Sequence, residues 1–235
     1  MSGDTNGAWD VFVHDRQTGV TSLVSVNSAG ELGNDSSDDP SISADGRFIA
    51  FSSTADNLVS GDTNEVQDIF VYDQQTGVTS LVFVNSSGEQ GNRDSQIPII
   101  SADGSEILFN SFADNLVPGD TNEKQNIFIR ELETGITTQF NPDSSGNQVN
   151  RNSRIYSMSS NGRFITFSSS VVDNLVPGEE NCQMYIHDRE TGTNSCITAE
   201  SHHGNYIGRN TISNDGRFIA FESVSIPIEH ITFSP

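Results

Sequence analysis

Asp-Thr-Asn occurs three times in this chain, at Asp4-Thr5-Asn6, Asp62-Thr63-Asn64 and Asp120-Thr121-Asn122. Four residues after each Asn stands Asp10, Asp68 or Asn126. Two hard oxygen donors at alternate positions, followed by a further side-chain oxygen, are what a calcium ion takes. The candidate ligands are therefore Asp4, Asn6 and Asp10, then Asp62, Asn64 and Asp68, then Asp120, Asn122 and Asn126. The equivalent fourth loop reads Glu179-Glu180-Asn181 with Gln183, so calcium, if the chain binds it, is expected in the first three loops and not in the last. The same residue types also close turns through side-chain-to-backbone hydrogen bonds. That plainer role is the one the loop favours, because a glycine follows the Asn in the first copy alone, at Gly7.

Other residues offer less. Asp56, Asp114 and Asp173 recur in a "DNLV" segment whose Leu and Val read as plugs between packed units. His202-His203 lies in a long polar stretch, where a histidine pair is ordinarily solvated. Asp45, Asp103, Asn161 and Asp215 each precede a glycine between β-rich runs and read as turn formers. Arg47, Arg163 and Arg217 follow that glycine, where a surface ion pair is the expected role. The chain carries no Gly-x-Ser-x-Gly elbow, no His-Glu-x-x-His helix and no phosphate loop. Ser-Ala-Asp-Gly resembles the Asp-box of sialidases, but Arg16, Arg93, Arg151, Arg154 and Arg209 do not fall at equivalent positions to form the arginine cluster that class needs. A non-catalytic protein is the expectation. A glycoside hydrolase or lyase working through paired carboxylates is an alternative.

The elements that must position these residues are repeats. Gly3, Gly61, Gly119 and Gly178 open the motif at spacings of 58, 58 and 59. "SADGRFIAF" at Ser43 returns as "SADGSEILF" at Ser101, "SSNGRFITF" at Ser159 and "SNDGRFIAF" at Ser213. Each unit reads as four short strands. Strand A is Pro40 to Ser43 and strand B is Arg47 to Ser53, joined by an Asp-Gly hairpin whose two central residues can both take positive φ. Strand C is Asp68 to Asp73, and strand D is Thr79 to Val84. B and C are apolar at nearly every position, which marks strands buried on both faces. Four-stranded sheets of that kind bury their faces against copies of themselves, and the tight hairpins make the strands antiparallel. The predicted fold is an all-β propeller of four-stranded antiparallel blades.

"SADGRFIAFSS", "NLVPGDTN" and "DIFVYD" together resemble the WD-like repeat of TolB-type bacterial β-propellers, and the likeness runs through essentially the whole chain. The resemblance implies a binding platform and a periplasmic or extracellular location. The Asp-Thr-Asn loop is also similar to the calcium loops of integrin-type propellers, but it is shorter and lacks their third early ligand. The chain reads as one domain: a half-blade over 1–38, blades over 39–96, 97–153 and 154–209, and a closing half-blade over 210–235. Pairing of the terminal halves would give a closed four-bladed ring. The start inside a repeat equally fits a piece of a larger ring.

Composition narrows the task. Thirty-two acids against 11 bases give a formal charge of −21, which repels phosphate backbones and argues against nucleic acid. No apolar stretch approaches the length of a membrane span. Cys182 and Cys196 fall on neighbouring strands but not opposite each other, and read as free thiols. The long B–C and D–A loops leave the sheet at the same end, so binding is expected on that face. The expected partner there is a protein or a carbohydrate, with no cofactor unless calcium. The alternative to a simple scaffold is a calcium-stabilised adhesion module.

Overall fold

The computed structural model describes residues 5–140, 152–169, 175–176, 182–197 and 206–224, without the side chains of 206–209 and 223–224. Among these residues all regular structure is β, in sixteen strands. β1 (Phe12–His14) and β2 (Thr21–Leu23) form a two-stranded sheet. β3 (Ser37–Ile42), β4 (Phe48–Ser53), β5 (Asp68–Asp73) and β6 (Val78–Leu81) form a four-stranded sheet in that order. β7 (Ser95–Ile100), β8 (Glu106–Ser111), β9 (Asn126–Glu131) and β10 (Thr137–Phe140) repeat it, as do β11 (Ser153–Met158), β12 (Phe164–Ser169), β13 (Met184–Asp188) and β14 (Thr193–Cys196). β15 (Tyr206–Ile212) and β16 (Ile219–Val224) make a final pair. The sheets are antiparallel blades of a β-propeller. They group into two compact units, one of β1–β10 with the first residues of β11, the other of the remaining strands.

The middle strands are buried on both faces, as their unbroken apolar runs require. β4 is buried from Ile49 to Ser53 and β5 from Asp68 to Val71. Across this ladder Phe51 pairs with Phe70, their rings stacked at 5.8 Å. Phe109 and Phe128 repeat the pair at 5.8 Å, and Phe167 with Tyr185 at 5.3 Å. Each such pair adds roughly 0.5–1 kcal/mol beyond the area it buries. Within the first unit, Ile49, Phe51 and Leu58 pack on Val11 and Val24, while Ala50, Ile69 and Val71 pack on Ile107 and Phe109. Leu58 and Leu116 are fully buried, so the "DNLV" segment does plug the space between sheets.

The A–B turns depart from the expected geometry. Gly46, Gly104, Gly162 and Gly216 take φ of 70–75°, while the residues before them stay at negative φ. Asp45 instead holds the turn from its side chain, where Oδ1 accepts from Ser43 Oγ at 2.6 Å and from Arg47 N at 3.0 Å. Those bonds favour a right-handed Asp and leave the glycine alone in the left-handed region. Strand A carries a bulge in three copies, between Asp38 and Ser41, Gln96 and Ile99, and Ile207 and Asn210. Asp39 and Ile97 sit in it at φ of 48° and 57°.

The cysteines are not free. Cys182 and Cys196 form a disulfide with a Cα separation of 5.8 Å. The ladder pairs Cys196 with Tyr185, three residues from Cys182, which along an extended strand would be about 10 Å. Cys182 precedes β13, and the Tyr185 hydroxyl donates to its carbonyl at 2.8 Å, so the chain bends back before the strand begins. Spacing along a regular strand could not reveal that bend. The bridge closes a loop of 14 residues, and its loss should cost the second unit about 2–3 kcal/mol. Denaturant titration of the Cys182→Ser/Cys196→Ser variant against the oxidised protein measures this, and equal midpoints would refute it.

Candidate functional site

The B–C and D–A loops leave the antiparallel sheets of the first unit at one end, and side chains tie them together there. Asn6 Nδ2 donates to the Gly33 carbonyl and Asn64 Nδ2 to the Gly91 carbonyl, both at 2.9 Å. Asn34 Nδ2 reaches Asp56 Oδ1 at 2.6 Å, and Asn92 Nδ2 reaches Asp114 Oδ1 at 2.7 Å. Asn57 and Asn115 close the same seam by donating to the carbonyls of Leu32 and Gln90 at 2.9 Å. The acids and amides of the loop face are thus a repeated frame of hydrogen bonds.

In the Asp-Thr-Asn loop, Asn64 Oδ1 accepts from Val66 N at 3.2 Å while its Nδ2 donates to Asp68 Oδ1 at 2.9 Å. The contact with the Gly91 carbonyl fixes which end of this amide is nitrogen, because two oxygens do not share a hydrogen. Asn64 therefore turns a donor, not an oxygen ligand, toward Asp68. Asn6 and Asn122 repeat the turn, accepting from Ala8 N and Lys124 N at 2.9 and 2.8 Å. The residue after the Asn is left-handed in all three copies, with φ of 72° at Gly7, 57° at Glu65 and 53° at Glu123. Gly7 is thus the unstrained version of a conformation the glutamates adopt at some cost.

The three loops differ in how they satisfy their buried carboxyl position. In the second, Gln90 Nε2 bridges Asp62 Oδ1 at 2.8 Å and Asp68 Oδ2 at 3.0 Å. Burial pushes the Asp68 carboxyl up to about 8, with the neighbouring Asp62 charge adding to it against the bonds from Asn64 and Gln90. In the third, Asn126 replaces that acid and donates Nδ2 to Asp120 Oδ2 at 2.9 Å. In the first, Leu32 stands where Gln90 stands in the second, each in the same backbone bridge. There Ser25 Oγ donates to Asp10 Oδ1 at 2.9 Å, and Asp10 Oδ2 is buried with no partner among the described residues.

Of the sequence candidates, Asn6 with Asp10, Asp62 with Asn64 and Asp68, and Asp120 with Asn122 and Asn126 are brought together within their own loops. Asp4, Asp173, His202, His203, Glu179, Glu180 and Asn181 lie outside the described residues. Among the described residues no group of three His, Cys, Asp or Glu side chains is arranged to hold a metal ion. Gln90 and the Asn34 and Asn92 ties escaped the sequence reading, although their 58-residue recurrence as Asn is visible in it. The opposite face behaves as expected of a structural one. Arg47 and Arg163 make two-pronged bonds to Asp73 and Asp188, which hold both carboxyls down at about 2.

Two outcomes follow from the carboxyl network. The native state holds a proton on Asp68 that the unfolded chain releases near 3.8, so this stabilisation is complete below that pH and is lost as pH climbs through about 8. Asp68→Asn copies Asn126 and stays neutral, so it should gain about 1–2 kcal/mol on the parent between about pH 5 and 9. Parallel melting curves at both pH values would refute this. Leu32→Gln restores a donor to Asp10 and should stabilise by about 1 kcal/mol, raising the melting temperature by about 2–4 °C.

No protein-family model matches the chain, and no curated protein matches it. Solved structures do match. TolB from Acinetobacter baumannii is 19% identical with a TM-score of 0.54, covering 90% of this chain and 42% of its own. A putative TolB from Agrobacterium tumefaciens is 15% identical with a TM-score of 0.55, covering 90% and 60%. An oligogalacturonate lyase in complex with manganese is 14% identical with a TM-score of 0.57, covering 94% and 54%. The chain spans about half the length of these propellers. At such identities the likeness speaks for the fold, and that fold is a TolB-like β-propeller.

Proposed function

We propose that the protein is a non-catalytic binding propeller that recognises a protein partner at its loop-rich face, in a periplasmic or extracellular setting. The observation that carries this reading is the hydrogen-bonded frame of the B–C and D–A loops, which holds that face in place while leaving Trp9 exposed on it. Trp9, the chain's single tryptophan, is 80% exposed there, its carbonyl bonded to Ser37 N at the start of strand A. A large aromatic left in water on a rigid surface is a common anchor for a partner. Asp38 and Asp39 are exposed in the bulge of the same strand, and the chain is strongly acidic. A basic partner surface is therefore favoured over an acidic one, and protein over neutral carbohydrate. The TolB structures and the disulfide support the setting.

The test uses Trp9 as its own reporter. Titration with a basic polypeptide such as polylysine should quench or blue-shift Trp9 emission saturably, with affinity falling as salt rises. Trp9→Ala, followed by calorimetry, should weaken binding by about 1–2 kcal/mol. Binding of neutral oligosaccharide alone, or a lyase or hydrolase turnover abolished by mutating one loop acid, would overturn the proposal.

A further inference from the structure

The sequence holds two Asn-Gly pairs, Asn6-Gly7 in the first Asp-Thr-Asn loop and Asn161-Gly162 in an A–B turn. An asparagine before glycine can close a ring on its own backbone. The following residue has no Cβ to crowd its amide nitrogen as that nitrogen approaches the side-chain carbonyl carbon. The fold treats the two pairs differently.

At Asn161 the nucleophile is tied up. Gly162 is buried, and its N–H donates to the Ser159 carbonyl at 2.8 Å. Ser159 Oγ and Arg163 N hold Asn161 Oδ1 at 2.7 and 3.1 Å, so both reacting groups are fixed in the turn. At Asn6 only the electrophile is held. Ala8 N donates to Asn6 Oδ1 at 2.9 Å, the oxygen on which negative charge grows when a nucleophile adds to Cγ. Gly7 is exposed, nothing lies within 4 Å of a Cβ built on it, and its N–H has no acceptor among the described residues.

The second and third loops supply the comparison. Val66 N and Lys124 N make the same bond to Asn64 Oδ1 and Asn122 Oδ1. Glu65 and Glu123 take the same left-handed backbone as Gly7. The three loops therefore differ at the reacting nitrogen, which in two of them has a glutamate side chain beside it.

We propose that Asn6 is a self-modification site, which deamidates spontaneously in the folded protein. The Gly7 nitrogen gives up its proton and bonds to Asn6 Cγ, the Cγ–Nδ2 bond breaks, and Nδ2 leaves as ammonia. Water then opens the succinimide at either carbonyl, leaving aspartate or isoaspartate at this position. The consequence is local. Asn6 Nδ2 donates to the Gly33 carbonyl at 2.9 Å and reaches Asp10 Oδ1 at 3.5 Å. The product puts an oxygen in its place, which sets a carboxylate against the Gly33 carbonyl and the Asp10 carboxylate. The tie between the two loops is then lost, and the loop face gains a negative charge, whether or not that face binds a partner.

Incubation of the 235-residue chain in mildly alkaline buffer, followed by peptide mapping with mass spectrometry, tests this. Aspartate and isoaspartate should accumulate at Asn6 while Asn64, Asn122 and Asn161 remain amides. In denaturant Asn161 should convert as readily as Asn6, because the turn no longer holds Gly162 N. Gly7→Glu, which copies the second and third loops, should slow conversion by at least about tenfold. Asn6→Asp, the direct product, should lower the melting temperature by about 2–4 °C. Thermal melts establish that Gly7→Glu is folded, and the comparison of Asn6 with Asn64 in the wild type needs no variant. Native-state conversion of Asn6 no faster than Asn64 or Asn161 would overturn the proposal, as would an unchanged rate in folded Gly7→Glu. An unchanged melting temperature for Asn6→Asp would overturn the loss of the loop tie.

Discussion

In three blades an aromatic ring of strand B stands directly across the ladder from a ring on strand C, and this contact sets the terms for everything around it. Phe51 on Phe70, Phe109 on Phe128 and Phe167 on Tyr185 make the centre of each sheet too apolar to face water on either side. A sheet of four short strands cannot bury such a centre alone. Such a sheet needs apolar surface against both faces, and the chain supplies it by repeating the blade. The remaining features of the molecule are means of aligning copies once that stacking is imposed.

Alignment is handled differently at the two ends of the sheets. At the tight-turn end the contact is steric, a phenylalanine ring laid on a glycine that no other residue could replace without a clash. At the loop end it is polar, with asparagine side chains bridging one connection to the next at intervals of 58 residues. The first kind tolerates no variation at the glycine. The second tolerates exchange of donors and acceptors, which is why Asp68 with Gln90 in one loop becomes Asn126 with Asp120 in the next. Where such an exchange is incomplete, as at Leu32 and Asp10, an oxygen is left buried without a partner among the described residues.

This division bears on function. The loop face is rigid because its polar groups are bonded to one another, so it can present exposed side chains without first ordering them. The same bonding draws the Asp-Thr-Asn side chains inward and explains their recurrence. Within the second loop Asn64 offers its amide nitrogen to Asp68. The motif repeats because the seam it closes repeats.

The sequence by itself determined the repeat, the four-strand order of the blade, the buried B and C strands and the face that carries the long loops. Each depends on local periodicity or turn chemistry, which neighbouring residues specify. Asp45 shows the limit of that local rule, since its own side chain keeps it out of the left-handed region that its place before glycine suggested. Contacts between residues distant in sequence were decided by tertiary structure. Gln90 joins Asp62 and Asp68 because a D–A loop folds over a B–C loop, and Phe48 finds Gly104 because two blades stack. Cys182 reaches Cys196 because the chain bends before β13 where an extended strand would have kept them apart. Periodicity fixes what each strand buries, whereas the partners across a seam are fixed by how whole sheets pack, which no single stretch of residues encodes.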